Sequence, residues 1–238
     1  MGMGMGMDTV TDAGLYRLLT WLSPGFPVGG YAYSHGIERA VEERLVTDCE
    51  SLRRWVAAIV LNGAGRLDAG FFRAAWQAVS DDDGAALLSA AEWAGAMRAT
   101  RETALESAAQ GQAFVDALAA AWPTPALAPW IATLAGSGRA PAYAVAVGVA
   151  AAVAAVPLRH GLLAYLHALA ANLVSAGVRL VPLGQNDGQR ALAALEPTVR
   201  RAAERAMATP LQAIASAAPM IDWTSMHHET QYTRLFRS

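Results

Sequence analysis

The sequence predicts an all-α fold, a single-domain bundle of roughly eight to ten helices with a flexible N-terminus. Apolar residues recur at helical spacing along most of the 238 residues, for example at Leu15, Leu18, Leu19 and Leu22. Alanine supplies much of the 54% hydrophobic content and has the highest intrinsic helix propensity. No alternation of apolar and polar residues is long enough to predict a strand. We therefore expect helices to pack on helices around one core.

The chain divides into three predicted segments. Residues 1–11 begin with a Met-Gly repeat, and we predict that they are disordered. Residues 12–217 carry the helical pattern without a dividing linker, which indicates one domain. Residues 218–238 lose that pattern and contain aromatic and arginine residues, so we predict an extended, partner-binding C-terminal tail.

The most apolar run, residues 140–156, is at the short limit for a membrane span. It consists mainly of alanine and valine, with Pro141 near its start and Pro157 just after it. We predict a buried helix here and no membrane partner, with a transmembrane segment as the alternative.

Composition and missing motifs exclude several classes of function. A formal net charge of −2 offers no electrostatic footprint for nucleic acid, and the single Cys49 excludes an internal disulfide. The N-terminus lacks the basic and apolar regions of a signal peptide, and the single cysteine fits a protein of the reducing cytoplasm. No phosphate-binding loop, nucleophile elbow or His-Glu-x-x-His motif occurs. We therefore predict a protein that is not an enzyme and binds no nucleotide by itself.

An aromatic, glycine-rich stretch separates the first two helical segments. Residues 23–38 read SPGFPVGGYAYSHGIE, and their two prolines and three glycines up to Gly30 prevent a continuous helix. Ser34 is predicted to cap a helix that starts with His35. His35 and Glu38 are three residues apart and could converge as ligand and base. The alternative is a histidine hydrogen-bonded to the backbone at the helix start.

The C-terminal end combines residue types that are enriched in protein interfaces. Residues 228–238 read HETQYTRLFRS, and tyrosine and arginine are frequent in interface hot spots. The alternative is a tail that folds back on its own domain. His227 and His228 are candidate metal ligands by residue type, with structural or partner contact as the preferred interpretation.

Three stretches, residues 23–38, 181–190 (VPLGQNDGQR) and 228–238, resemble signatures of the urease accessory protein UreF family. The resemblance implies an all-α homodimer in a cytoplasmic complex with UreD (also called UreH) and the GTPase UreG. It implies a chaperone and scaffold that bridges UreG to UreD while nickel is inserted into the urease apoprotein. Nickel and GTP would be handled by the complex, and no cofactor would be bound directly.

The resemblance also implies roles for individual residues. It places contact with UreD on His228, Glu229, Thr230, Gln231, Tyr232, Arg234, Leu235 and Phe236. It places dimer or UreG contact on Pro24, Phe26, Pro27, Tyr31, Tyr33, Ser34 and Glu38. The residues of the middle signature could face the same partners or brace a turn: Gly184, Gln185, Asp187 and Arg190.

Two alternative functions accompany this assignment. Arginines such as Arg234 and Arg237 could act in trans on UreG, as an activator or fidelity gate of GTP hydrolysis. Alternatively, His227, His228 and Glu229 could carry nickel directly.

Overall fold

The computed structural model describes residues 9–238, which form eleven α-helices, two short 3-10 turns and no strand. The predicted all-α class is therefore confirmed. The helices are α1 (Asp12–Trp21), α2 (Ile37–Glu42), α3 (Cys49–Asn62), α4 (Ala64–Ser80), α5 (Gly84–Ala96), α6 (Arg101–Ala121), α7 (Ala128–Ala135), α8 (Tyr143–Val153), α9 (Leu158–Leu180), α10 (Gln185–Ala208) and α11 (Pro219–His228).

The segment predicted to be disordered, residues 1–11, falls mostly on residues 1–8, which lie outside the described residues. Residues 9–11 lead directly into α1. The Thr11 hydroxyl accepts a hydrogen bond from the Gly14 N–H at 3.1 Å and caps the helix.

The core lies where α4 packs against α8 and α9. Phe71 and Phe72 of α4 are fully buried, and α8 is buried along almost its whole length. The apolar run at residues 140–156 thus forms a short helix inside the protein. Of the described helices, only α9 is long and apolar enough to cross a membrane, and half of its apolar window is buried in the protein.

Glycines allow the helices and connections to approach closely. A Cβ at Gly148 of α8 would lie 2.6 Å from the Phe72 carbonyl oxygen, and one at Gly111 of α6 would lie 1.9 Å from the Pro141 carbonyl oxygen. Both contacts are with backbone, which cannot move aside as a side chain can. These two positions therefore fix how α8 and the segment before it sit on α4 and α6.

The prediction of extended chain from residue 218 is wrong for its first half. Residues 219–228 form α11, which packs on α2 and α6. Pro219 stands in the first turn of α11, where a proline needs no hydrogen-bond donor and its fixed φ favours the helix. The non-helical part is residues 229–238, called the C-terminal segment below.

We expect Gly111→Ala to lower the free energy of unfolding by about 1–3 kcal/mol, because its methyl group overlaps the Pro141 carbonyl. Gly95→Ala is the matched control, since Gly95 lies in α5 with nothing within 4 Å of its Cβ position. The control should stabilise the protein by at most about 1 kcal/mol through helix propensity. Urea denaturation measures both; equal effects would contradict the packing assignment.

Candidate functional site

The C-terminal segment folds back across α2, α6 and the aromatic loop, defined here as residues 23–36. The Arg237 N–H donates to the Ala32 carbonyl at 2.8 Å, and the Ser34 N–H donates to the Ser238 carbonyl at 2.8 Å. Phe236 is buried, and the guanidinium of Arg179 lies 4.4 Å above the centre of its ring. The structure therefore has the folded-back arrangement that the sequence left as an alternative.

The Glu38 carboxylate holds this segment in place. Its Oε1 accepts the Leu235 N–H at 2.7 Å, and its Oε2 accepts the Phe236 N–H at 2.9 Å. Glu38 is buried in the first turn of α2. Gly36 precedes that turn with φ of 75°. A Cβ added at Gly36 would lie 2.7 Å from the Ser225 N atom, so α2 starts in close contact with α11.

The His228 imidazole at the end of α11 lies between two carboxylates. Its Nε2 is 3.1 Å from Glu38 Oε2, and its Nδ1 is 2.7 Å from Glu102 Oε2. The Arg234 guanidinium donates to the other oxygen of Glu102 at 2.8 Å. The His228 side chain has 0% exposure. An ionised carboxylate can only accept hydrogen bonds, so both contacts are satisfied when both ring nitrogens carry a proton.

Glu106 of α6 forms a second anchor. Its Oε2 accepts the Ser238 hydroxyl at 2.9 Å, while its Oε1 lies 3.0 Å from His35 Nε2 and accepts from Gln110 at 2.9 Å. Burial of His35 lowers its pKa, but the adjacent Glu106 carboxylate, together with Asp68, raises it and leaves the pKa above its ordinary value. The His35–Glu106 pair is therefore charged more readily than an isolated histidine.

The predicted N-cap at Ser34 is wrong. Helix α2 begins at Ile37, after His35 and Gly36 in the left-handed region with φ of 52° and 75°. The Ser34 hydroxyl donates to the Ser238 carbonyl, and its oxygen accepts only a long hydrogen bond, 3.4 Å, from the Glu38 N–H. The predicted convergence of His35 and Glu38 also fails, because His35 contacts Glu106 while Glu38 contacts the C-terminal segment.

A cavity of about 270 Å³ lies beneath the aromatic loop, between α6, α8 and α9. The buried Asp68–Arg98 ion pair, with a 2.7 Å contact, forms part of its floor, and the Tyr165 hydroxyl donates to Asp68 at 3.0 Å. Burial lowers the pKa of Arg98, but the Asp68 carboxylate, together with Tyr165 and Glu106, raises it, and the pKa stays above its ordinary value. Burial, followed by Asp68, raises the pKa of Tyr165 well above its usual range. These groups are paired mainly with one another.

Two side chains of α9 fix the aromatic loop over this cavity. Asn172 donates to the Gly30 carbonyl at 2.8 Å, and Arg179 donates to the Tyr31 carbonyl at 2.8 Å. Because Arg179 also lies over Phe236, the loop and the C-terminal segment share one support.

The residues predicted to contact partners divide into an outward set and an inward set. Tyr232 is fully exposed, and Leu235 and Tyr31 have exposed fractions of 65% and 70%. Also exposed are Pro24, Pro27, Thr230 and Arg234, whereas Glu229 and Gln231 are half-buried. The inward set consists of Phe26, Tyr33, Ser34, Glu38, His228 and Phe236. Partner contact stays a prediction for both sets, and the inward set has a packing role within the chain.

The middle signature braces the start of α10. Asp187 accepts the Gly184 N–H at 3.0 Å and forms an ion pair with Arg190. The Gly184 hydrogen bond, and then Arg190, lower the pKa of the Asp187 carboxyl. Gln185 and Arg190 are exposed, so both are accessible to a partner, and partner contact stays a prediction for them.

The two candidate metal ligands are not brought together. His227 is exposed, its Nδ1 lies 2.9 Å from the Trp223 carbonyl oxygen and its ring packs on the Trp223 ring, whereas His228 is buried between carboxylates. Within residues 9–238, no group of three or more His, Cys, Asp or Glu side chains is placed to hold a metal ion.

Sequence reasoning assigned no role in this site to Glu102 and Glu106. Four residues separate them on α6, so they share a face of that helix. Glu106 falls on the buried side of α6, beside Ser107 and Gln110. A carboxylate on the inner face of an alanine-rich helix is the signal that could have identified a buried polar contact.

Comparison with known proteins decides the family. Residues 46–196, more than half of the chain, match the UreF family. The chain belongs to the UreF family. Three curated relatives carry the name urease accessory protein UreF. The protein from Granulibacter bethesdensis is 51% identical over 227 residues, covering 95% of both chains. Those from Rhodopseudomonas palustris BisB5 and Bradyrhizobium sp. ORS 278 are 50% and 48% identical, covering 95% of this chain and 92% of theirs.

In this UreF-family chain, we expect Glu38→Gln to release the C-terminal segment. Losing the charge of the acceptor costs about 1.5–3 kcal/mol, which corresponds to about 10- to 150-fold less amide protection. Hydrogen exchange at Leu235 and Phe236 measures the loss, while amides in α8 should keep their protection. Glu42→Gln is the control, because Glu42 lies on the same helix and pairs only with Arg39 at the surface. Equal protection in both variants would show that Glu38 does not hold the segment.

Proposed function

We propose that this chain is a non-catalytic accessory protein of urease maturation, which bridges UreD (UreH) and the GTPase UreG during nickel insertion into the urease apoprotein. Its membership of the UreF family supports the assignment to urease maturation. The observation that carries the bridging role is the docked C-terminal segment, which holds its outward side chains on a fixed backbone.

The proposed UreD surface consists of Tyr232 and Leu235 on the C-terminal segment. Both side chains are large, largely apolar and exposed, although the backbone of the segment is hydrogen-bonded to the domain. A surface that is ordered before binding loses less conformational entropy on association. Exposed aromatic and aliphatic residues on such a support are typical of binding hot spots.

We place the second interface, with UreG or with a second copy of the chain in a homodimer, at the exposed prolines of the aromatic loop. Pro24 and Pro27 lie beside the cavity mouth and Tyr31, on a loop tied to α9. In this proposal the complex is cytoplasmic, UreG supplies the GTP site, and nickel passes to urease without a resident cofactor in this chain.

Replacing Tyr232 and Leu235 together by alanine should weaken binding to UreD by at least about tenfold, because each of the two substitutions removes an exposed side chain of the proposed hot spot. Co-purification with UreD, followed by size-exclusion chromatography with light scattering, measures the complex. Thr233→Ala is the control, since Thr233 is exposed on the same segment. Wild-type binding by the double variant, with its segment still docked, would refute the proposed surface.

A regulatory role toward UreG is the second candidate, and one observation favours Arg237 for it. The Arg237 side chain is exposed, whereas Arg234 is paired with Glu102. An arginine supplied in trans can stabilise the charge of phosphoryl transfer.

We expect Arg237→Ala to abolish any stimulation of GTP hydrolysis by UreG, measured as phosphate release. Arg44→Ala is the control and should leave the stimulation unchanged, because Arg44 is also exposed but lies outside the C-terminal segment. No stimulation by the wild-type chain with UreD would remove this role.

A further inference from the structure

We propose that Arg66 and Arg205 form a docking site for an acidic side chain, a glutamate or an aspartate of a protein partner. The two arginines line one small surface pocket between α3, α4, α10 and the chain that follows α10. None of the residues assigned above to contacts with UreD, with UreG or with a second copy of the chain lines this pocket. The inference therefore goes beyond the proposed function and concerns a separate surface.

Both guanidinium groups come from the ends of helices. Arg66 stands in the first turn of α4 and is half-buried, whereas Arg205 stands in the last turn of α10 and is exposed. These two turns meet at the end of α3, where Arg205 Nη1 donates to the Leu61 carbonyl at 3.4 Å. A guanidinium carries five N–H donors, so this contact leaves most of the Arg205 donors free for a ligand.

No carboxylate of the described chain neutralises this pair. Within residues 9–238, the arginines that are ion-paired with a carboxylate are Arg39, Arg53, Arg54, Arg98, Arg190 and Arg234. Glu204 precedes Arg205 in the sequence, but it lies about 100° away around α10 and does not line the pocket. The pocket therefore has two positive charges and no acidic lining residue.

The two positive charges act on each other. Burial, and then the charge of Arg205, lower the pKa of Arg66. Arg53 and Arg98, which each lie beside a carboxylate, have raised pKa values instead. Like charges that share a pocket repel each other, and an anion between them replaces that repulsion by attraction.

The remainder of the pocket decides which anion fits. Apolar side chains make up most of it: Val60, Leu61, Ala202, Ala206 and Ile214. The Thr209 hydroxyl also lines the pocket, but it donates to the Arg205 carbonyl at 2.7 Å. A phosphate ion is polar on every side and gains nothing from apolar walls. An acidic side chain has methylene groups that bury apolar area, and its carboxylate matches the fork of an arginine.

NMR of the arginine side chains in the isolated full chain tests the site with two peptide probes. The probes are the acetylated and amidated tripeptides Ala-Glu-Ala and Ala-Gln-Ala, added at constant ionic strength. We expect the glutamate peptide to shift the Nε–Hε resonances of Arg66 and Arg205 to saturation. The glutamine peptide should leave both resonances in place. Equal shifts with both peptides, or none with the glutamate peptide, would overturn the proposal.

Three single variants assign the binding to the pocket. Arg66→Gln and Arg205→Gln should each weaken binding of the glutamate peptide about two- to fivefold, as expected for a partly exposed ion pair. Arg200→Gln is the matched control and should bind as the wild type does. It removes the same charge from α10, but Arg200 lies about 140° around the helix from Arg205 and does not line the pocket. Equal weakening in all three would reduce the effect to net charge and refute the site.

A charge reversal separates loss of the site from loss of the fold. In Arg66→Glu, the new carboxylate stands in the first turn of α4, where it suits the positive end of the helix dipole, and it can pair with Arg205. The variant should therefore unfold at a higher temperature than the wild type and no longer bind the glutamate peptide. Undiminished binding of that peptide would contradict the proposal.

Inorganic phosphate is the third probe and distinguishes a free oxyanion from an acidic side chain. We expect phosphate to bind more weakly than the glutamate peptide at the same ionic strength, because it gains nothing from the apolar walls. Tighter binding of phosphate would overturn the assignment to an acidic side chain. These experiments contain neither UreD nor UreG, so their failure would leave the proposed function as it stands.

Discussion

The Glu38 carboxylate is the interaction on which the rest of this surface depends. Its two oxygens accept the backbone N–H groups of Leu235 and Phe236, and one of them also lies 3.1 Å from Nε2 of the His228 ring. A single buried acceptor thus joins α2, the end of α11 and the C-terminal segment. Removing it would leave buried donors without partners, and that penalty exceeds the net gain of an ordinary hydrogen bond. The segment is consequently held by a few strong contacts rather than by a wide apolar interface.

Glu106 connects that surface to the interior of the bundle. One oxygen of its carboxylate faces His35 and Gln110 at the cavity floor, and the other accepts the Ser238 hydroxyl. Movement of the C-terminal segment would therefore change the hydrogen bonding of a group that lines the cavity. The cavity floor and the C-terminal segment share this carboxylate, so a change in its hydrogen bonds on one side affects its hydrogen bonds on the other side. Arg179, which supports both the loop and Phe236, reinforces the connection from the side of α9.

Helices and core could be predicted from the sequence because their signal is local, whereas the site could not. The buried run in α8 and the interruption by the aromatic loop follow from composition and from proline and glycine positions. The contact between His228 and Glu38 joins residues 190 positions apart, and no periodicity reports a pairing over that distance. Ser34 shows why local rules fail here. Its hydroxyl donates to a carbonyl 204 residues away, and the helix begins only at Ile37, so its hydrogen bond from the Glu38 N–H is long.

The inward and outward residues of the C-terminal segment perform separable tasks. Phe236 and Ser238 point inward and are buried, so they carry the docking together with the backbone at Leu235. Tyr232 is fully exposed and gains nothing from docking, and its presence is not explained by the stability of this chain alone. A partner that binds the docked arrangement more tightly than the released one stabilises the docked arrangement by mass action. The docked state and the complex then favour each other. The Glu38 contacts determine what fraction of the free chain is docked, and a smaller docked fraction lowers the apparent affinity for the partner.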